Sequence, residues 1–228
     1  MLSKNIITYG CRLNIYESEV MQKHLEKANL KNYILFNSCS VTNEAKKKVI
    51  DDIRKFKKKY PNKKIIVTGC ASQIDSKTFL SMSEVDHVIG NKEKMEFETF
   101  LKISNEKIAN KISDIMELKT IAPQFIESFE NHSRAFIQIQ NGCDHRCTFC
   151  TIPYGRGNSR SLPINNIIEQ IKILNEKGFN EIILTGVDLT SYGPDLDEKV
   201  NLGKLVEAIL KNNKELKRLR LSSLDSIE

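Results

Sequence analysis

Three times in the first seventy residues, a short apolar run ends in a small residue and then a cysteine. Asn5 to Tyr9 leads into Gly10-Cys11, Tyr33 to Asn37 into Ser38-Cys39, and Lys64 to Thr68 into Gly69-Cys70. A helix-like segment follows each one. After Cys39, Thr42 stands where an N-cap belongs, Ala45, Val49, Ile53, Phe56 and Tyr60 recur at helical spacing, and Pro61 closes the segment. After Cys11, the pair Asn14 and Glu17 has the spacing of a capping box. The cysteines are 28 and 31 residues apart. That is the length of a strand, a helix and a return loop, so the spacing predicts a parallel sheet. The three thiols then share the carboxyl edge, where open α/β sheets bind ligands. A helix N-terminus beside each thiol favours the thiolate. His87 to Ile89 is expected to be a fourth strand, and a helix from Lys92 to about Lys102 to complete the domain.

A second strand-helix series begins after a stretch of weak periodicity interrupted by Pro123. Arg134 to Ile139 alternates as a strand and runs into Asn141, Gly142 and Cys143. Ile164, Ile167, Ile168, Ile171 and Leu174 mark a helix ended by Gly178, and Glu181 to Thr185 is a strand opening on Gly186-Val187-Asp188. Leu202 to Leu210 is the next helix and Arg218 to Leu221 a third strand. The expected fold is α/β throughout, an N-terminal open parallel sheet with flanking helices followed by the first half of a partial (β/α) barrel. The domain boundaries are drawn at 1–104, a linker at 105–128, and a second domain at 129–228. Three βα-like units cannot close a barrel, and an open three-stranded sheet leaves an unpaired edge, so the chain is read as truncated.

No stretch approaches the roughly 18 apolar residues of a membrane helix, which points to no membrane partner and a cytoplasmic location. In a reducing compartment six cysteines favour metal binding or catalysis over disulfides. The formal charge of +6 is lopsided: residues 1–103 carry 19 Lys and Arg against 12 Asp and Glu, while 104–228 carry 16 against 17. Between Lys46 and Lys64, ten Lys or Arg face only Asp51 and Asp52. Such a run is an electrostatic footprint for nucleic acid, and equally a solvated helix face in a lysine-rich chain.

Cys143, Cys147 and Cys150 place three thiols within eight residues in the CxxxCxxC spacing. Thiolates are the usual ligands of iron-sulfur clusters, and three of them on a four-iron cube leave one iron open. His145 would join them only at a zinc site.

Residues 140 to 161, from Gln140-Asn-Gly-Cys through Gly155-Arg-Gly-Asn-Ser-Arg-Ser161, resemble the signature of the radical SAM methylthiotransferases. Tyr9-Gly-Cys-Arg-Leu-Asn, Asn37-Ser-Cys-Ser-Val-Thr and Thr68-Gly-Cys-Ala-Ser-Gln resemble the family's three single-cysteine motifs. The segments from Thr185 to Gly193 and from Arg220 to Glu228 look most like the branch that modifies threonylcarbamoyladenosine beside the tRNA anticodon. The resemblance implies that the second domain is the first half of a radical SAM partial barrel. It implies two 4Fe-4S clusters, one on Cys143, Cys147 and Cys150 that binds S-adenosylmethionine and one on Cys11, Cys39 and Cys70 that carries sulfur. The partners implied are tRNA and an electron donor protein, with the oligomeric state left open. Phe149 is expected against the cofactor's adenine, Asp188 at its polar groups, and Arg156 and Arg160 at tRNA phosphates or the threonyl carboxylate. Two alternatives stand beside this reading: a methylthiotransferase acting on isopentenyladenosine or on a ribosomal protein aspartate, and a non-catalytic metal-stabilised RNA-binding module.

Overall fold

The apolar runs that precede the front cysteines form adjacent strands. The computed structural model describes residues 5–105, 110–129 and 132–224, so the last residues of the Arg220 to Glu228 motif, 225–228, fall outside them. The chain divides into two units, Met1–Leu118 with Arg146–Arg156, and Lys119–His145 with Gly157–Glu228.

In the first unit, β1 (Ile6–Thr8), α1 (Arg12–Lys27), β2 (Tyr33–Ser38), α2 (Asn43–Lys59) and β3 (Lys64–Gly69) repeat the expected pattern. The third helix is broken into α3 (Cys70–Ile74) and α4 (Ser76–Leu80), because Asp75 between them accepts a hydrogen bond from the Thr78 N–H and starts a new helix. Then come β4 (His87–Ile89), α5 (Phe97–Ser104), β5 (Asn110–Lys111) and, from the later segment, α6 (Ile152–Arg156). The sheet is parallel in the order β1-β2-β3-β4-β5. Every residue of β2 is buried, as a strand covered on both faces requires. Ile34, Phe36, Ile65 and Val67 pack with Val49, Ile53 and Phe56 of α2 on one face. Leu35, Ile66 and Ile89 pack with Met21 and Leu25 of α1 and with Phe100 and Ile103 of α5 on the other.

Two local expectations are corrected. Thr42 does cap α2, accepting from the Ala45 N–H at 3.1 Å, but Asn14 and Glu17 form no capping box. Cys11 is the N-cap of α1, and Asn14 donates to the Tyr9 and Ser38 carbonyls at 2.6 and 3.2 Å. The expected linker is also absent as such. Its early part supplies β5, paired with β4 at Val88 and Ile89, and its late part is clamped by the buried Gln170, which exchanges two 2.7 Å hydrogen bonds with the Ile126 backbone.

The second unit holds β6 (Ala135–Gln138), β7 (Gln140–Asn141), β8 (Arg160–Ser161), α7 (Ile164–Glu176), β9 (Glu181–Thr185), α8 (Leu202–Asn212) and β10 (Arg218–Leu221). Its sheet is parallel, ordered β10-β9-β6, as the strand-helix series predicts, and β7 pairs antiparallel with β8.

Candidate functional site

Register decides where the front thiols lie. Thr8 is opposite Asn37 and Ser38 is opposite Gly69, so the chain leaves β1, β2 and β3 at the same edge, and a cysteine follows each strand at once or within a few residues. Neighbouring strands are about 4.8 Å apart, which sets the scale of the group. Gly10 has φ +89°, and a Cβ on it would stand 2.7 Å from the Cys39 Sγ; only glycine lets the two segments approach this closely. Cys11 is exposed, whereas Cys39 and Cys70 are buried. Burial pushes the Cys39 thiol up; the Val41 N–H and Arg156 oppose this, while Cys70 and Cys11 add to it. Cys11 stands at the N-cap of α1 and Cys70 opens α3, whereas the helix after Cys39 is capped three residues later by Thr42.

Beside this edge lies a buried ionic group that the sequence did not announce. The Glu17 carboxylate accepts from Lys94 Nζ at 2.7 Å and from Arg156 Nη1 at 2.9 Å and Nη2 at 3.3 Å. Arg156 Nη2 also donates to Asn14 Oδ1 at 2.6 Å. Glu17, Arg156 and Lys94 are 2 %, 3 % and 0 % exposed. Burial alone would raise the Glu17 pKa, but the two cations outweigh it and hold the carboxyl at about 2. For Arg156, burial opposes the charge, and Cys70, Glu17 and Cys11 more than restore it, raising its pKa well above the ordinary value. Arg156, expected at tRNA phosphates or the threonyl carboxylate, is instead buried against Glu17 and Asn14. No local pattern marks Glu17 and Lys94 as partners, since they are far apart in the chain.

Also in the first unit, Cys147 and Cys150 flank a turn closed by the Cys150 N–H on the Cys147 carbonyl at 3.0 Å, and Phe149 between them is 88 % exposed. The following residues are anchored. Asn91 Nδ2 donates to the Gly155 carbonyl at 2.5 Å and lies 3.9 Å from Cys70 Sγ.

In the second unit, Cys143 Sγ, a ring nitrogen of His145 and a carboxylate oxygen of Asp188 lie within 4.8 Å of one another. His145 Nε2 is 3.4 Å from Asp188 Oδ2. Burial would raise the Asp188 pKa, but hydrogen bonds from Ser191 and Thr190 lower it and fix the carboxylate after β9. Gln140, fully buried and overlooked in the sequence, joins the two loops. Its amide nitrogen donates to the Gly142 carbonyl at 2.7 Å, and its oxygen accepts the Val187 and Asp188 N–H groups, each at 2.9 Å. A polar residue in the strand just ahead of Asn141-Gly142-Cys143 was the available signal. Arg160 is likewise buried, at 4 % exposure, in β8 opposite Asn141, rather than on a solvated loop.

Soft thiolates on three neighbouring strands, with a guanidinium beside them, are a donor set suited to an iron-sulfur group. A CxxxCxxC segment with an exposed aromatic between its last two cysteines is another. Residues 4–90 match the Uncharacterized protein family UPF0004, and residues 137–226 match the Radical SAM superfamily. A threonylcarbamoyladenosine tRNA methylthiotransferase, MtaB, of Rickettsia prowazekii (strain Madrid E) is 51 % identical over 227 residues, covering 100 % of this chain and 53 % of the relative. The chain belongs to the radical SAM methylthiotransferases. A second member of this family, the Thermotoga maritima protein named likewise, is 35 % identical over 99 % of the chain and 52 % of its own length. The chain spans about half the length of these curated relatives. Among solved structures, the radical S-adenosylmethionine methyltransferase TsrM from Kitasatospora setae, with cobalamin and a 4Fe-4S cluster bound, aligns with a TM-score of 0.59 and 12 % identity. It covers 90 % of this chain and 50 % of that one, a likeness of fold.

Proposed function

We propose that the protein adds a methylthio group to threonylcarbamoyladenosine in tRNA by radical S-adenosylmethionine chemistry. The supporting observation is the presence of two separate sets of three thiols, one in each family-matched segment, in a chain 51 % identical to a relative bearing that activity in its name. An aromatic C–H of adenine is too unreactive for an ordinary side-chain base or nucleophile, so one-electron chemistry is required. When bound, a 4Fe-4S cluster with S-adenosylmethionine supplies that chemistry at Cys143, Cys147 and Cys150, and a second cluster at Cys11, Cys39 and Cys70 supplies sulfur.

The chain's own residues bind and orient. Phe149, exposed beside Cys150, offers a ring face to the cofactor's adenine. Asp188, held ionised by Thr190 and Ser191, accepts hydrogen bonds from the cofactor's polar groups. The exposed lysines of α2, among them Lys47, Lys55 and Lys58, meet tRNA phosphates. An electron donor protein and a cytoplasmic location complete the reading; among the described residues no helix is long and apolar enough to cross a membrane.

Mass spectrometry of tRNA nucleosides from cells lacking the gene tests the proposal. The methylthio derivative of threonylcarbamoyladenosine is expected to vanish, with the unmodified precursor accumulating. Disappearance of a methylthio-isopentenyladenosine or of a ribosomal-protein adduct instead would assign another substrate.

A further inference from the structure

Arg156 and Lys94 bring two cations to one carboxylate, Glu17, in a region where all three are almost wholly removed from water. Glu93, buried next to Lys94 in the sequence, is turned to the Ser113 hydroxyl. Two buried cations sharing one carboxylate are stabilised by further anionic charge close by. The three-thiol edge is one such source that these contacts reach. Asn14, which holds Arg156, also donates to the carbonyls of Tyr9 and Ser38, the backbone that carries Cys11 and Cys39. Gly155, next to Arg156, lies so near Cys70 that a Cβ on it would come 3.1 Å from the Cys70 Cβ.

Resting on the reading of Cys11, Cys39 and Cys70 as a cluster site, we propose that Arg156, held by Glu17 and Asn14, is the buried counter-charge that sets the reduction potential of the group bound there. It is a positioning residue and touches no reacting atom. A four-iron group on three thiolates is anionic when oxidised and more so when reduced, so a fixed cation beside it favours the reduced form. Arg156 suits the task because its guanidinium stays charged under burial and grips Glu17 with both terminal nitrogens.

The test uses the full chain carrying Cys147→Ala and Cys150→Ala, reconstituted anaerobically with iron and sulfide and titrated with dithionite while its electron paramagnetic resonance signal is followed. Arg156→Met is expected to shift the reduced-to-oxidised ratio at fixed potential about tenfold toward oxidised, which is about 59 mV for one electron. Arg156→Lys is expected to remain near the parent. Glu17→Gln removes the balancing anion and is expected to shift the ratio the opposite way. If Arg156→Met does not fold, the sign of the Glu17→Gln shift decides alone. Equal potentials in all variants, or an Arg156→Lys shift as large as that of Arg156→Met, would overturn the counter-charge role while leaving the cluster site intact. A parent that takes up no iron would overturn the two-cluster reading and this inference with it.

Discussion

Glu17 shows how one side chain can be misread from its local pattern. Its spacing from Asn14 suits a capping box, yet the carboxylate is turned inward to Arg156 and Lys94 because a buried carboxylate with two cations at 2.7–2.9 Å gains more than an exposed one at a helix end. Losing it takes a shared carboxylate from two buried cations, so Glu17→Gln is expected to lower stability at neutral pH by about 3 kcal/mol, measured by urea unfolding. The pH dependence has a definite sign. The folded-state pKa, about 2, lies below the ordinary 4.5, so the stabilisation is complete above about pH 4.5 and is lost as pH falls toward 2. The gap between parent and Glu17→Gln should therefore narrow over that window; a gap that is constant from pH 7 to pH 2.5 would contradict the ion-pair account.

At the level of single elements, α2 is the one whose sequence signals all agree. Thr42 caps it, Glu44 lies in its first turn and Lys57, Lys58 and Lys59 in its last, each sign matching the helix dipole, while Val49, Ile53 and Phe56 form its buried stripe. Thr42→Ala is expected to cost about 1 kcal/mol in chemical unfolding, since the Ala45 N–H loses its acceptor. No change in unfolding would mean that the cap bond is replaced by water at no cost. The third strand-helix repeat departs from this regularity at Asp75, where a side-chain cap outcompetes helix continuation and shortens α3 to five residues. Strand β5 was invisible for a plainer reason: two residues, Asn110 and Lys111, carry no periodicity, and only their pairing with β4 defines them.

For the whole molecule, the proposed pair of cluster sites predicts a stoichiometry. Anaerobic reconstitution should load about eight irons per chain, falling to about half when either Cys11, Cys39 and Cys70 or Cys143, Cys147 and Cys150 are replaced by alanine. One or two zinc ions with no iron would favour a structural metal module instead. The sequence by itself determined the alternation of strands and helices, the common edge for Cys11, Cys39 and Cys70, and the CxxxCxxC segment, because hydrophobic period, cysteine spacing and turn residues are local properties of the chain. Tertiary structure alone decided that Arg146–Arg156 is part of the first unit, that Arg156 is a buried partner of Glu17 rather than a surface contact, and that Gln140 ties the loop before Cys143 to Asp188. Each of these joins residues distant in sequence, and polar groups find such partners only when burial leaves them no water to bind.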